Sequence, residues 1–171
     1  MTFNRRQFTQ AAAALARALP AIRAQPGDLV ARSDALYGAW LCGSVLGAVG
    51  MALHHKLCHT LGGSFNLPHA EVHTVVLPHA LAFNAQAAPR AMARIARALG
   101  GASAPAAVYA LAQGNGAPVA LKDIGMRAAD LDRAADIAVA SPYWNPRPFG
   151  PAERDEIRAL LQRAFDGEPP G

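Results

Sequence analysis

Residues 50–70 read GMALHHKLCHTLGGSFNLPHA and hold four of the chain's six histidines: His54, His55, His59 and His69. His55 and His59 are four positions apart, so a helix stacks them on one face, a turn apart. Gly62 and Gly63 are expected to break that helix, and Pro68 to open another with His69 in its first turn. The geometry expected is helix, turn, helix, with imidazoles converging from both sides on one small pocket.

Upstream, helical periodicity predicts one long central helix over about 28–61, started near Asp28. Its small residues, among them Gly38, Gly43, Gly47 and Gly50, suggest that another helix or a ligand approaches the backbone closely, since interior glycine costs about 1 kcal/mol against alanine. A first helix is expected over 6–24. Downstream, a helix from Pro68 to about Asn84 contains Pro78, which should bend or split it. Further helices are expected over 89–100, 104–116, 128–140 and 151–165, with a turn at 119–126 and a proline-rich loop at 141–150. The fold class expected is all-α, a helical bundle packed through small side chains.

The chain has 171 residues, enough for one domain with a real core. Its net charge of +4 comes mostly from arginines spread along amphipathic helices, without an aromatic-interleaved basic cluster, so nucleic acid is not an expected partner. No apolar run is expected to reach the roughly 20 residues of a membrane span. Cys42 and Cys58, on the expected single helix, would be roughly 24 Å apart at about 1.5 Å per residue, too far for a disulfide. Both read as small buried hydrophobes. Residues 1–25 form either the first helix of the domain or, given Arg5-Arg6 and the alanine run, a twin-arginine-like leader. Residues 26–171 form the helical domain proper.

Three imidazoles suit zinc, iron or copper, yet Lys56 follows His55 where a metalloprotease would carry glutamate. A second reading is anion binding, with His54, Lys56, His59 and the helix start at Pro68 favouring carboxylates. His73 shares the face of His69 as a supporting residue, and His79 reads as a surface or packing residue. Packed core histidines are the bland alternative for each.

The segment HHKLCHTLGGSFNLPHAEVHTVVLPHALAFN resembles the signature of the maleylacetate reductases, a branch of the iron-containing alcohol dehydrogenase family. The pattern is H-x3-H-x9-H followed by an LPH–FN segment; SDALYGAWLCGSVLGAVGM and SPYWNPRP are also similar to this branch. The resemblance spans roughly residues 12–166. It implies the C-terminal helical domain of iron-type alcohol dehydrogenases, of dehydroquinate synthase-like fold, without the nucleotide-binding domain. It also implies reduction of maleylacetate to 3-oxoadipate by NADH or NADPH in aromatic-compound breakdown, in the cytoplasm; export through the leader is the alternative. By resemblance, His55 and His69 match ligands of a divalent metal, iron or zinc, and His59 the catalytic histidine facing nicotinamide and substrate. His54, Lys56 and His73 would bind the substrate. The family's other two ligands, an Asp and a His four residues apart, have no counterpart ahead of His54, so tight metal binding by this chain alone is not expected. The partners implied are a dicarboxylate substrate and a separate nucleotide-binding domain; a homodimer, formed through the helical face that domain would cover, is a further expectation. No membrane partner is expected. A non-catalytic module binding a divalent metal or small dicarboxylate through the same histidines is the competing function.

Overall fold

A computed structural model describes residues 5–142 and 146–170, with the side chains of 5–8 outside the description. All described elements are helical: α1 (Arg5–Ala24), α2 (Leu29–Ala48), α3 (Leu53–Phe65), α4 (His69–Asn84), α5 (Pro89–Leu99), α6 (Ala104–Gly114), α7 (Leu131–Val139) and α8 (Arg154–Asp166). Short 3-10 turns at Leu121–Ile124, Ala128–Asp130 and Pro151–Glu153 connect them. The all-α expectation holds, and Asp28 caps α2 as anticipated. Its Oδ1 accepts from Val30 N–H and Ala31 N–H at 2.9 and 3.0 Å. Part of the proline-rich loop, residues 143–145, lies outside the described residues.

The single long helix expected over 28–61 is two helices. Val49 and Ala52 are extended, and the axes of α2 and α3 turn by 96° between them. No proline or polar cap marks this break; Gly50 is its sole textual trace. The argument that placed Cys42 and Cys58 on one axis therefore fails, although both thiols are free. Cys58 is buried as expected, whereas Cys42 is exposed. A second correction concerns Gly62-Gly63, which lie inside α3 and do not end it. The helix stops at Asn66, whose φ of 54° is left-handed, a conformation asparagine tolerates better than most side chains. Of the two outcomes expected at Pro78, bend or split, the split does not occur: Pro78 is buried inside a single α4. The stretch Pro89–Gly114 is long and apolar enough to cross a membrane, which also revises the expected lack of such a run. Gly100, at φ 71°, nevertheless ends α5 and separates it from α6, which packs against it.

Two packing zones follow. The main core joins α3, α4, α7 and α8 through Leu57, Leu61, Val72, Val76, Leu131, Ile157, Leu160 and Leu161, all fully buried. Burying each such leucine or isoleucine contributes about 1.5–3 kcal/mol. Outside, Arg154 clasps α7 to α8, donating to Asp136 at 2.8 Å and Asp132 at 3.0 Å. The other zone is α1 packed along α2 through Ala11, Ala14, Ala18 and Leu41, with α5 also against α1. Here the expectation of close backbone approach is met at one glycine. A β-carbon on Gly38 would sit 2.8 Å from Leu15 Cγ and 3.2 Å from Ala11 O, while Gly43 and Gly47 have nothing within 4 Å.

Those two environments give opposite outcomes for one substitution. Gly38→Ala should lower unfolding free energy by about 1–3 kcal/mol through overpacking. Gly43→Ala should raise it by up to about 1 kcal/mol through helix propensity. Urea titration of both variants checks the pair; equal effects would contradict the packing described.

Candidate functional site

On α3, Leu53, Leu57 and Leu61 repeat at four-residue spacing and face the core. Residues two positions away point to the opposite side, which is where His55 and His59 lie. His54 and Cys58, again four apart, occupy the flank between. On α4, Val72, Val76 and His79 are buried, and His69 and His73 share a neighbouring face. The left-handed Asn66 and extended Pro68 fold α4 back onto α3, so both faces meet.

Five imidazoles gather there. Ring centroids of His55 and His59 are 6.2 Å apart, His59 and His69 6.1 Å, His69 and His73 4.4 Å, and His73 and His55 4.9 Å. These four close a circuit. His54 sits beside it, 5.3 Å from His55 and 4.8 Å from His73. The expected convergence from two helix ends is what the structure has. Gly62 lies beside this site, where a β-carbon would meet His69 Nδ1 at 3.6 Å, an ordinary contact.

Burial, and then crowding, disfavours protonation of His54, His55 and His73. Burial, and then the charges of the other four histidines, pushes the His73 imidazole down to about 4. His55 is lowered by burial and then by His59 and His69. His54 is lowered by burial, against a hydrogen bond to the His73 carbonyl that acts the other way. That bond, 3.0 Å from Nε2, fixes a tautomer: a carbonyl oxygen only accepts, so Nε2 carries the proton and Nδ1 keeps its lone pair. Neutral imidazoles have lone pairs free for a metal or a proton.

Of the residues named from sequence, the structure brings His54, His55, His59, His69 and His73 together. Lys56 is half-buried on the same helix, and among the described residues no hydrogen bond or ion pair joins it to the imidazoles. His79 stands apart, 1% exposed, a packing residue as one expected reading had it. Cys58 was read as a buried hydrophobe only, yet its sulfur and the rings of His54 and His73 place one donor atom each within 4.8 Å of one another. The i, i+4 pair His54–Cys58 was the available signal. A cavity of about 430 Å³ between α2 and these helices is lined by Cys42, His55 and His73.

Imidazole is a ligand type that suits a divalent iron or zinc, so His55 and His69 fit two positions of such a site. Among the described residues no third His, Cys, Asp or Glu completes a tight group with them, so the remaining donors of such a site would come from outside this set.

With this geometry established, comparison with known proteins is informative. Residues 6–165 match the sequence profile of the Fe-containing alcohol dehydrogenase family, C-terminal. The chain is 62% identical over 157 residues to a maleylacetate reductase of Burkholderia cepacia, covering 92% of this chain and 44% of that protein. It is similar to the crystal structure of maleylacetate reductase from Agrobacterium tumefaciens, with TM-score 0.90 and 54% identity, covering 95% of this chain and 45% of that one. An iron-containing alcohol dehydrogenase from Corynebacterium glutamicum is also similar, with TM-score 0.87 and 42% identity over 95% of this chain and 45% of that one. The chain thus spans under half the length of these relatives.

Acid stability should report on the buried imidazoles. Burial, and then the Arg163 charge, pushes His79 down to about 4, and both its ring nitrogens are buried without a partner. Below about 6.5 the unfolded chain takes up a proton that folded His79 and His73 refuse until about pH 4. Their neutral-form stability is therefore whole above pH 6.5 and is lost as pH falls toward 4. Denaturation midpoints measured from pH 7 to 4 should fall, and His79→Leu should flatten the decline. An unchanged slope in that variant would contradict the assignment.

Proposed function

Because the chain belongs to the iron-containing alcohol dehydrogenase family, whose C-terminal region it matches, we propose that it is the substrate-side half of an NAD(P)H-dependent maleylacetate reductase. The observation that carries this reading is the imidazole circuit at the meeting of α3 and α4, in a chain so similar to proteins of that name. The product would be 3-oxoadipate, and the setting cytoplasmic breakdown of aromatic compounds.

Maleylacetate is a dianion with a ketone conjugated to its alkene. Hydride addition to the alkene places negative charge on the ketone oxygen as an enolate. His59, exposed at the rim of the circuit, is placed to donate a hydrogen bond to that oxygen and then a proton to carbon. His55 and His69 flank it and shape the carboxylate or metal pocket. A divalent metal held by His55 and His69 with donors from elsewhere would polarise the ketone as a Lewis acid. His54, turned toward the His73 carbonyl, and His73 itself are neutral supports that position the outer rings. Lys56 supplies positive charge on the same helix. The reduced nicotinamide, NADH or NADPH, would be held by a nucleotide-binding half outside these 171 residues.

The outer face of α2 fits a missing partner surface. Leu36 is 72% exposed and Trp40 60%, with Tyr37 and Leu46 also open, and the chief neighbour of α2 is α1 on its other side. Apolar patches of this kind are interaction sites as a rule. We assign this face to the nucleotide-binding half, with pairing of two copies of the chain as the alternative occupant. Leu36→Lys with Trp40→Lys should leave helicity by circular dichroism unchanged and weaken co-purification with that half at least about tenfold, equivalent to about 1.4 kcal/mol. Undiminished co-purification would remove the assignment.

Activity is tested by co-expressing the chain with the N-terminal half of the Burkholderia cepacia relative and following NADH or NADPH oxidation with maleylacetate. The chain alone should be inactive and the pair active. His59→Gln in the pair should reduce kcat by about 10²–10⁴-fold. A pair that forms yet never turns over would favour the non-catalytic reading, a module that holds a metal or dicarboxylate through the same histidines.

A further inference from the structure

We propose that His54, Cys58 and His73 form a second metal site, a thiolate–bis-imidazole set for zinc or a similar soft-to-borderline cation, distinct from the pair His55 and His69. The proposal stands independently of the reductase reading, since every donor belongs to this chain.

Three observations carry it. One donor atom from each of the three residues lies within 4.8 Å of the others, the sole such group of three among the described residues. Zinc at about 2.0–2.3 Å from nitrogen and sulfur needs donors roughly 3.5 Å apart, so closure takes a movement of about 1 Å. Next, one ring nitrogen of His54 is already engaged and the other is free. Its Nε2–H donates to the His73 carbonyl at 3.0 Å and leaves Nδ1 unprotonated, and metal-bound histidines almost always donate their other ring N–H in this way. Finally, His73 Nε2 is buried without a hydrogen-bond partner, and a cavity of about 430 Å³ opens beside His73.

Cys58 is 0% exposed and its thiol is pushed up to about 12, so it is inert toward most reagents. A cation changes that balance: the S–H proton leaves to solvent as the metal–sulfur bond forms, with no change of oxidation state. Affinity should therefore rise with pH. Thiolate and imidazole together favour zinc over magnesium or calcium.

Cobalt(II) added to the purified 171-residue protein is the probe, because a cobalt–thiolate bond produces an intense near-ultraviolet charge-transfer band that histidine ligation does not. The expected result is that band at one equivalent, displaced by zinc(II). It should survive Cys42→Ala and the double variant His55→Ala/His69→Ala, and vanish in Cys58→Ala. His54→Ala and His73→Ala should each weaken zinc affinity, measured by chelator competition, about tenfold or more. These two side chains are only partly buried, so they keep the test sharp if Cys58→Ala fails to fold. The site is refuted if wild-type protein shows no thiolate band, if Cys42→Ala removes it, or if the His55/His69 variant does.

Discussion

The contact between α3 and α4 governs everything else. Leu57 and Leu61 on one helix and Val72 and Val76 on the other are sealed in one core, which holds the two helices at a fixed roll. Once that roll is set, the faces bearing His55, His59, His69 and His73 have nowhere to go but toward each other. The connection must be tight, and a left-handed Asn66 followed by an extended Pro68 makes it so. Left-handed backbone costs an ordinary residue about 1–2 kcal/mol; the buried leucines and valines outweigh it.

Gathering imidazoles has an electrostatic consequence. Each added proton would repel the next at ring separations of 4.4–6.2 Å, and part of the circuit is already short of water. Burial and this repulsion together disfavour charge on His54, His55 and His73, with His73 down to about 4. Such a cluster offers lone pairs before it offers charge. That favours ligation near neutral pH, and it leaves His59 and His69 at the exposed rim of the circuit.

The periphery is organised differently. Along α1 and α2 the packing uses alanine and Gly38 to bring backbones close, while the far side of α2 keeps Leu36 and Trp40 in solvent. A stable soluble surface does not ordinarily spend two large apolar side chains this way. The chain's span of under half of its relatives is in keeping with a face shaped for another surface.

Much of this was legible residue by residue. Three-and-four apolar spacing exposed nearly every helix, Asp28 announced the start of α2, and the spacing of His55, His59 and His69 foretold their meeting. Those features are local, written within one or two turns of helix. What misled were features whose outcome depends on distant atoms. The break at 49–52 carries no proline and no side-chain cap, so its 96° turn left no local signal beyond Gly50. Gly62-Gly63 stays helical in a helix whose Leu57, Cys58 and Leu61 are sealed in the core. Pro78, buried, sits within an unbroken α4. Helix identity and the set of imidazoles thus came from the sequence alone, through periodicity and spacing. The inward turn of His54, its bond to the His73 carbonyl and the nearness of Cys58 were decided by the tertiary structure, because only the packing of α3 on α4 sets which side chains share a site.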